Sequence, residues 1–127
     1  MNDRTTIVLD GSDAVVTTGG HRLRVVSRDR AGADAGCPVH LLEAALGACI
    51  TLTLDAVAKN KGIDTTGLEV RLERRPDTEG RTRFAVDIDL GTGRTDRERK
   101  ILFRCAQLCD VGKILKGDVE IDYRLSD

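Results

Sequence analysis

Residues 38–62 read PVHLLEAALGACITLTLDAVAKNKG and predict the central helix of the fold. Pro38 stands where a proline begins a helix, because its fixed φ angle suits the first helical position. From Val39 to Lys59 the residues are apolar nearly all round the predicted helix, and Gly62 supplies a left-handed cap after its closing lysines. A helix that is apolar on every face is expected to be buried on every face. Since 127 residues can hardly surround such a helix, the sequence predicts a dimer whose subunits bury these helices together.

The rest of the chain carries strand and helix patterns in turn. Short alternating or β-branched segments, separated by Asp-Gly and Gly-Gly turns, predict a meander before the helix, and two longer ones predict a hairpin after it. A capping box, residues 95–98, begins a second helix. The predicted strands are Thr5–Leu9, Ala14–Thr18, His21–Ser27, Thr66–Arg74, Arg83–Leu90 and Val119–Leu125, with a short amphipathic turn or helix at Val111–Gly117. This order predicts an α+β fold in a single domain that spans residues 1–127.

Composition excludes several classes of function. One Tyr, two Phe and no Trp leave few side chains on which nucleic-acid bases could stack. A formal net charge of −1 gives no general attraction to nucleic acid or to anionic lipid. No apolar run is interpreted as a membrane span, and the first residues do not resemble a signal peptide. The sequence therefore predicts a cytoplasmic protein with neither a nucleic-acid nor a membrane partner.

Two of the four cysteines lie in unlike helical settings, Cys49 within the apolar helix and Cys109 at the mouth of another. Two thiols can reduce a peroxide together: one thiolate attacks the O–O bond and becomes a sulfenic acid, with which the other condenses to a disulfide. The alternative is that both pack as inert small hydrophobes. Cys105 could also act as the second thiol but fits the buried stripe of its helix, and Cys37 is expected to be exposed and incidental. Without CxxC or HxxxH-type spacing, the sequence predicts no zinc and no cofactor.

Residues 38–49, PVHLLEAALGAC, resemble the first cysteine helix of the OsmC/Ohr family of small thiol-dependent peroxidases. Lys61–Gly62 and Leu68–Val70 follow at the family's usual distance, and Leu108–Val111 is similar to its second-cysteine motif. The resemblance implies an intertwined homodimer in which antiparallel sheets wrap around central buried helices. It also implies that Cys49 attacks the peroxide and that Cys109 is the resolving thiol.

One departure from the family concerns the Arg–Glu pair with which its peroxidases hold the attacking thiolate. Relatives carry the glutamate directly after the helix-starting proline or one residue later, and these positions here are Val39 and His40. The arginine comes from an N-terminal strand, where Arg22 or Arg24 could supply it. We expect Arg22 to be the arginine that holds the Cys49 thiolate.

The leading functional interpretation is an antioxidant, stress-response enzyme that reduces organic hydroperoxides or hydrogen peroxide and is recycled by a small thiol or dithiol. A thiol with a pKa of about 8.5 is only a few per cent thiolate at pH 7, so Cys49 needs a cation within about 4–6 Å. The second interpretation is a non-catalytic dimer that binds an apolar small molecule at the subunit interface. The third is a redox sensor that forms the disulfide without sustained turnover.

Overall fold

The computed structural model describes residues 4–32, 35–76 and 79–126, and the chain divides between residues 44 and 45 into two compact units. In chain order the elements are β1 (Thr6–Asp10), β2 (Asp13–Thr18), β3 (His21–Val25), a single 3-10 turn (Arg28–Arg30), α1 (Pro38–Lys61), β4 (Glu69–Pro76), β5 (Thr82–Asp89), α2 (Asp96–Ala106) and α3 (Asp110–Lys116). Both sheets are antiparallel. The predicted α+β class is confirmed, and α1 begins at the predicted Pro38 and ends directly before the predicted cap, Gly62, whose φ is 67°.

The first unit contains the meander β1-β2-β3 and the beginning of α1. Gly19 and Gly20 connect β2 to β3 with φ angles of 53° and 82°. Two-residue hairpin loops require such positive angles, which glycine adopts without a steric penalty. The turn dipeptides in the sequence therefore located both hairpins of this sheet correctly.

In the second unit, one face of α1 forms the core. Four side chains at successive four-residue spacings lie on this face, and each is at most 6% exposed: Leu46, Ile50, Leu54 and Ala58. Spacing of four keeps them on one side of the helix. They pack with Ile63, Leu90, Leu102, Ala106 and Cys109. The predicted hairpin is confirmed as β4 and β5, whose partly buried apolar side chains cover this core.

The predicted capping box begins α2. The Thr95 hydroxyl accepts a hydrogen bond from the Glu98 amide at 3.1 Å, and the Thr95 amide donates to the Glu98 carboxylate at 2.9 Å. This reciprocal pair satisfies two backbone donors that a helix start otherwise leaves unpaired. The short helix predicted after it is also present, as α3.

The expectation that α1 is buried on every face is wrong for the single chain. Its opposite face is exposed, and Leu52 at 67% is the most exposed large apolar side chain of the helix. A chain of this length has too few elements to cover both faces of a 24-residue helix.

The predicted strand Val119–Leu125 is also wrong for the single chain. No strand is assigned there, and its large apolar side chains are between 59% and 94% exposed. An alternating segment becomes a strand only when its backbone pairs with a neighbouring strand. Within the described residues of one chain, this segment has no such neighbour.

By length and composition α1 is apolar enough to cross a membrane, contrary to the sequence interpretation. Its leucine, isoleucine, valine and alanine side chains give it a high mean hydropathy. The core helix of a globular protein meets the same two criteria, and α1 packs four side chains into the core of the second unit. We therefore assign it as a core helix.

Candidate functional site

Helix α1 places Cys49 between two core residues, Leu46 and Ile50, and the thiol is half-buried against the core. Close by, Gly47 allows the hairpin to approach the helix, because a Cβ atom at this position would lie 2.8 Å from Leu72 Cδ1. The glycine two positions before Cys49 in the motif thus brings helix and hairpin together.

Cys109 is the N-cap residue of α3. Its Sγ accepts a hydrogen bond from the Gly112 amide at 3.3 Å, and the residue is only 2% exposed. Gly112 leaves room for this contact, since a Cβ atom there would lie 3.1 Å from the sulfur. Serine, threonine and aspartate usually cap helices in this way, and here a sulfur takes their place.

The structure brings Cys49 and Cys109 together. The Cys49 side chain lies close enough to raise the pKa of Cys109, although the chain separates the two residues by sixty positions. All four cysteines are free thiols in this structure, which is therefore the reduced form. Both members of the thiol pair lie in the second unit.

The pKa of the Cys109 thiol is raised above its ordinary value. Burial is the largest cause, because it disfavours the charged form, and the hydrogen bond and negative charge of Cys49 act in the same direction. The Gly112 amide and the Lys116 ammonium oppose the rise. Cys109 therefore keeps its proton at neutral pH and can donate it to the neighbouring sulfur.

We expect the alkylation of Cys109 by iodoacetamide to rise with pH around a midpoint higher than that of an ordinary thiol. Only the thiolate reacts, so a raised pKa moves the whole profile upward. Peptide-resolved mass spectrometry would follow Cys109 in the native and the urea-unfolded protein. Lys116→Met should move the native midpoint still higher, because it removes a cation that favours the thiolate. A native midpoint at or below the unfolded one would contradict this assignment.

The other two cysteines differ from each other. Cys105 is half-buried on α2 against the core, as its position in the apolar stripe predicted. Cys37 is 2% exposed, so the expectation that it is exposed is wrong. The Val26 amide donates to the Gly36 carbonyl at 3.2 Å and the Leu41 amide to the Cys37 carbonyl at 3.0 Å, which draws this segment into the first unit. A glycine-rich sequence does not indicate pairing between distant positions, so the burial of Cys37 could not be predicted from it.

The residues expected around the thiolate belong to the first unit. Arg22 is an exposed residue of β3, paired with Thr17, and its assignment to the thiol stays a prediction. Arg24 donates to the carboxylates of Asp13 at 2.9 Å and Asp10 at 3.2 Å. The hydrogen bond from Arg24, together with the ion pair from Arg30, lowers the pKa of Asp13. The hydrogen bonds to Asp13 and Asp10 raise the pKa of Arg24. Of the two candidate arginines, Arg24 is thus the one with carboxylate partners in the first unit.

The positions that replace the family glutamate, Val39 and His40, are both exposed in the first turn of α1. Neither is a carboxylate that could fix an arginine.

A pocket of about 770 Å³ opens in the second unit beside Cys109. Its walls are largely apolar and include Leu46, Ile50, Phe84, Ile88, Phe103 and Leu115. Small-molecule sites commonly occupy about 300–1,000 Å³ and are lined in this way. Three cations also line this pocket, and the sequence interpretation missed them: Arg81, Arg83 and Lys116. Arg83 stands in an alternating strand pattern and Arg81 just before it, and such a pattern does not distinguish a cation at a pocket from one on an ordinary solvent face.

A family model, the OsmC-like protein, matches residues 31–124. The chain belongs to the OsmC family. The predicted resemblance is confirmed, and the matched range includes both members of the thiol pair.

Solved structures agree in fold. An OsmC-like protein from Mycoplasma pneumoniae has a TM-score of 0.68 at 17% identity, with 92% of this chain and 89% of that chain covered. An organic hydroperoxide resistance protein from Elizabethkingia anophelis has a TM-score of 0.60 at 23% identity, with 91% of this chain and 89% of that chain covered. The organic hydroperoxide resistance protein OhrB of Bacillus subtilis has a TM-score of 0.57 at 24% identity, with 94% of each chain covered. No curated protein matches this chain.

Proposed function

We propose that this OsmC-family protein is a thiol-dependent peroxide reductase that acts on organic hydroperoxides or hydrogen peroxide. The observation that carries the proposal is the proximity of Cys49 to Cys109, a residue that lines an apolar pocket. Two solved structures of the same fold are of organic hydroperoxide resistance proteins, which supports a peroxide as substrate.

The chemistry balances with two thiols and an external reductant. The Cys49 thiolate attacks one oxygen of the O–O bond, which breaks, and the departing alkoxide takes up a proton to leave as an alcohol or as water. Cys49 is then a sulfenic acid. The Cys109 sulfur attacks the Cys49 sulfur, an S–S bond forms, and the hydroxyl leaves as water with the Cys109 proton. A small thiol or dithiol supplies two electrons and two protons to restore both thiols.

The environment of Cys109 supports this division of roles. A thiol that keeps its proton is a poor nucleophile towards peroxide, but it can donate a hydrogen bond to a neighbouring thiolate. Burial and the charge of Cys49 both hold the proton on Cys109. Cys49 is therefore the attacking sulfur in this proposal and Cys109 the resolving one, with Arg22 as the cation that favours the Cys49 thiolate.

We also infer that two copies of the chain form a homodimer through α1. The exposed face of this helix carries small and apolar side chains at successive spacings of three or four: Ala45, Ala48, Leu52 and Ala56. Small residues allow a second helix to approach closely, and burial of Leu52 would remove a large apolar surface from water. The exposed alternating segment at residues 119–125 offers a further unpaired edge to a partner.

Leu52→Glu should convert the dimer to a monomer, because the carboxylate would have to be buried between two helices without a partner. Sedimentation velocity at several protein concentrations measures the change. The matched control is Arg97→Glu, a charge change at an exposed position of α2 outside the stripe. A wild-type protein that sediments as a monomer at all concentrations would overturn the dimer.

The experiment for the enzyme is peroxide consumption by the purified, reduced protein with cumene hydroperoxide and excess dithiothreitol. Sustained turnover supports the peroxidase. A non-catalytic dimer that binds an apolar small molecule is the second candidate, favoured by the apolar walls of the pocket and by Val39 and His40 at the glutamate positions. Binding without oxidation of Cys49 would establish that candidate instead.

A further inference from the structure

Lys116 closes the corner between α2 and α3, which contains Cys109. Its Nζ donates to the Gln107 carbonyl at 3.0 Å, although the two residues lie nine positions apart. Gln107 is the C-cap of α2 and Lys116 is the last residue of α3, so this bond spans the whole of α3. Lysine side chains commonly satisfy carbonyls that the end of a helix leaves unpaired. The bond therefore holds the ammonium of Lys116 beside the corner at which Cys109 lies.

Lys116 and Cys109 also line the same pocket, together with Gly112 from the first turn of α3. Cys109 is only 2% exposed, so little bulk water screens its sulfur. Charges act more strongly on a group from which water is excluded. The bond to Gln107 uses one of the three donors of the ammonium and leaves its charge in place.

Opposing influences act on the Cys109 thiol in the reduced protein. Burial, and after it the Cys49 side chain, raise its pKa, whereas the Gly112 amide and the Lys116 ammonium lower it. The Gly112 amide acts through its hydrogen bond of 3.3 Å to the sulfur. Since the raising influences prevail, Cys109 keeps its proton while Cys49 is a thiolate.

Other charged or titratable groups lie on the elements around Cys109. They are Arg81 and Arg83 at the pocket wall, Cys105 on α2, and Asp110 at the start of α3. Both arginines are engaged in interactions of their own. Of the cations at this pocket, Lys116 is the one whose charge lowers the pKa of Cys109.

Oxidation of Cys49 changes this balance. The thiolate carries a negative charge, but the sulfenic acid that replaces it is neutral when it carries its proton. The influence of the Cys49 charge on Cys109 is then absent. Burial alone remains against the Gly112 amide and the Lys116 ammonium. Formation of the sulfenic acid thus shifts Cys109 towards the form that can attack it.

We propose that Lys116 is a positioning residue for the resolving step: once oxidation has removed the negative charge from Cys49, the Lys116 ammonium stabilises Cys109 as a thiolate. This inference rests on the proposed function. The Cys109 sulfur attacks the Cys49 sulfur, an S–S bond forms, the S–O bond breaks, and the hydroxyl leaves as water with the Cys109 proton. Lys116 neither gives nor takes a proton. Attack on the peroxide thus activates the second thiol.

The Cys49→Ser variant tests the change of balance without any peroxide, because its hydroxyl is neutral. Alkylation of Cys109 by iodoacetamide should have a lower pH midpoint in Cys49→Ser than in the wild type. Adding Lys116→Met should raise this midpoint again, whereas adding Lys116→Arg should not. Lys113→Met is the matched control, since Lys113 is an exposed lysine of the same helix and does not line the pocket.

A mixed disulfide on Cys49 tests the resolving step itself. One equivalent of methyl methanethiosulfonate converts the Cys49 thiolate to a methyl disulfide and releases methanesulfinate. The Cys109 sulfur then attacks the Cys49 sulfur and releases methanethiol, which leaves the S–S bond between the two cysteines. Intact mass spectrometry follows the loss of the methylthio group in a Cys37→Ser and Cys105→Ser background, where only two thiols remain.

Lys116→Met should slow this resolving step by about 3- to 10-fold at neutral pH. Each unit by which the pKa of Cys109 rises lowers the thiolate fraction tenfold, and the greater nucleophilicity of the more basic thiolate offsets part of the loss. Lys116→Arg should retain the rate because it keeps the charge, and Lys113→Met should not change it.

The inference is overturned if Lys116→Met changes neither the alkylation midpoint in Cys49→Ser nor the rate of the resolving step. Equal slowing by Lys116→Met and Lys116→Arg would also overturn it, because packing and not charge would then be responsible. Neither measurement uses peroxide, so a Cys49 that cumene hydroperoxide does not oxidise would overturn the proposed enzyme separately. With turnover established, Lys116→Met should prolong the lifetime of the Cys49 sulfenic acid, trapped by dimedone, and leave the rate of its formation unchanged.

Discussion

Cys49→Ser should lower peroxide turnover by a factor on the order of 10³ or more, because a serine hydroxyl at neutral pH is a far weaker nucleophile than a thiolate. The serine keeps the size of the side chain, so the core residues around it should pack as before. Circular dichroism and thermal unfolding would establish that the variant is folded. Consumption of cumene hydroperoxide with dithiothreitol measures the loss.

Three further serine variants separate the cysteines. Cys37→Ser and Cys105→Ser should retain turnover, since neither thiol belongs to the pair. Cys109→Ser should still let Cys49 react once and accumulate its sulfenic acid, which dimedone labels and mass spectrometry detects. Turnover retained by Cys49→Ser would contradict the assignment of the attacking sulfur. Turnover lost equally in Cys105→Ser would point to a different resolving thiol.

Local sequence patterns were enough to predict most of the helices and strands. Gly19 and Gly20 mark a two-residue turn because few other residues adopt its angles, and Thr95 with Glu98 forms a capping box within four residues. Each of these features depends on atoms that are close in the chain. The helical settings of Cys49 and Cys109 raised the hypothesis of a thiol pair beside the alternative of inert packing, and the family motifs then implied their roles.

The errors have a different physical origin. Whether Leu52 is covered and whether segment 119–125 pairs with a strand both depend on which distant elements lie beside them, which no local pattern specifies. The burial of Cys37 depends on pairing between Val26 and Gly36, ten positions apart. For the site, the alternation from Arg83 to Leu90 identified a strand but not the pocket that Arg83 and the preceding Arg81 line.

The second large effect is expected at the loop between β5 and α2, where Gly91 and Gly93 form a matched pair. Both have a positive φ, +80° and +84°. A Cβ atom at Gly91 would lie 2.3 Å from the Thr66 carbonyl oxygen, whereas one at Gly93 would meet nothing within 4 Å. Alanine therefore adds the same backbone strain at both positions but a collision with backbone only at Gly91.

The collision has consequences for Arg94, whose side chain is only 7% exposed. Its Nη2 donates to that same Thr66 carbonyl at 2.9 Å and its Nε donates to the Leu90 carbonyl at 3.2 Å. To admit a Cβ atom at Gly91, the two loops must separate, and the bond between Arg94 and Thr66 is lost. A hydrogen bond from a charged group contributes about 1.5–3 kcal/mol, and its loss adds to the backbone strain.

We therefore expect Gly93→Ala to lower the free energy of unfolding by about 1–2 kcal/mol, the strain alone. Gly91→Ala should lower it by at least about 3 kcal/mol, the strain together with the lost hydrogen bond. Urea unfolding of both variants at one protein concentration measures the difference and keeps any contribution of subunit association equal. Equal destabilisation by the two substitutions would mean that the loops separate without cost, and that Arg94 does not hold them together.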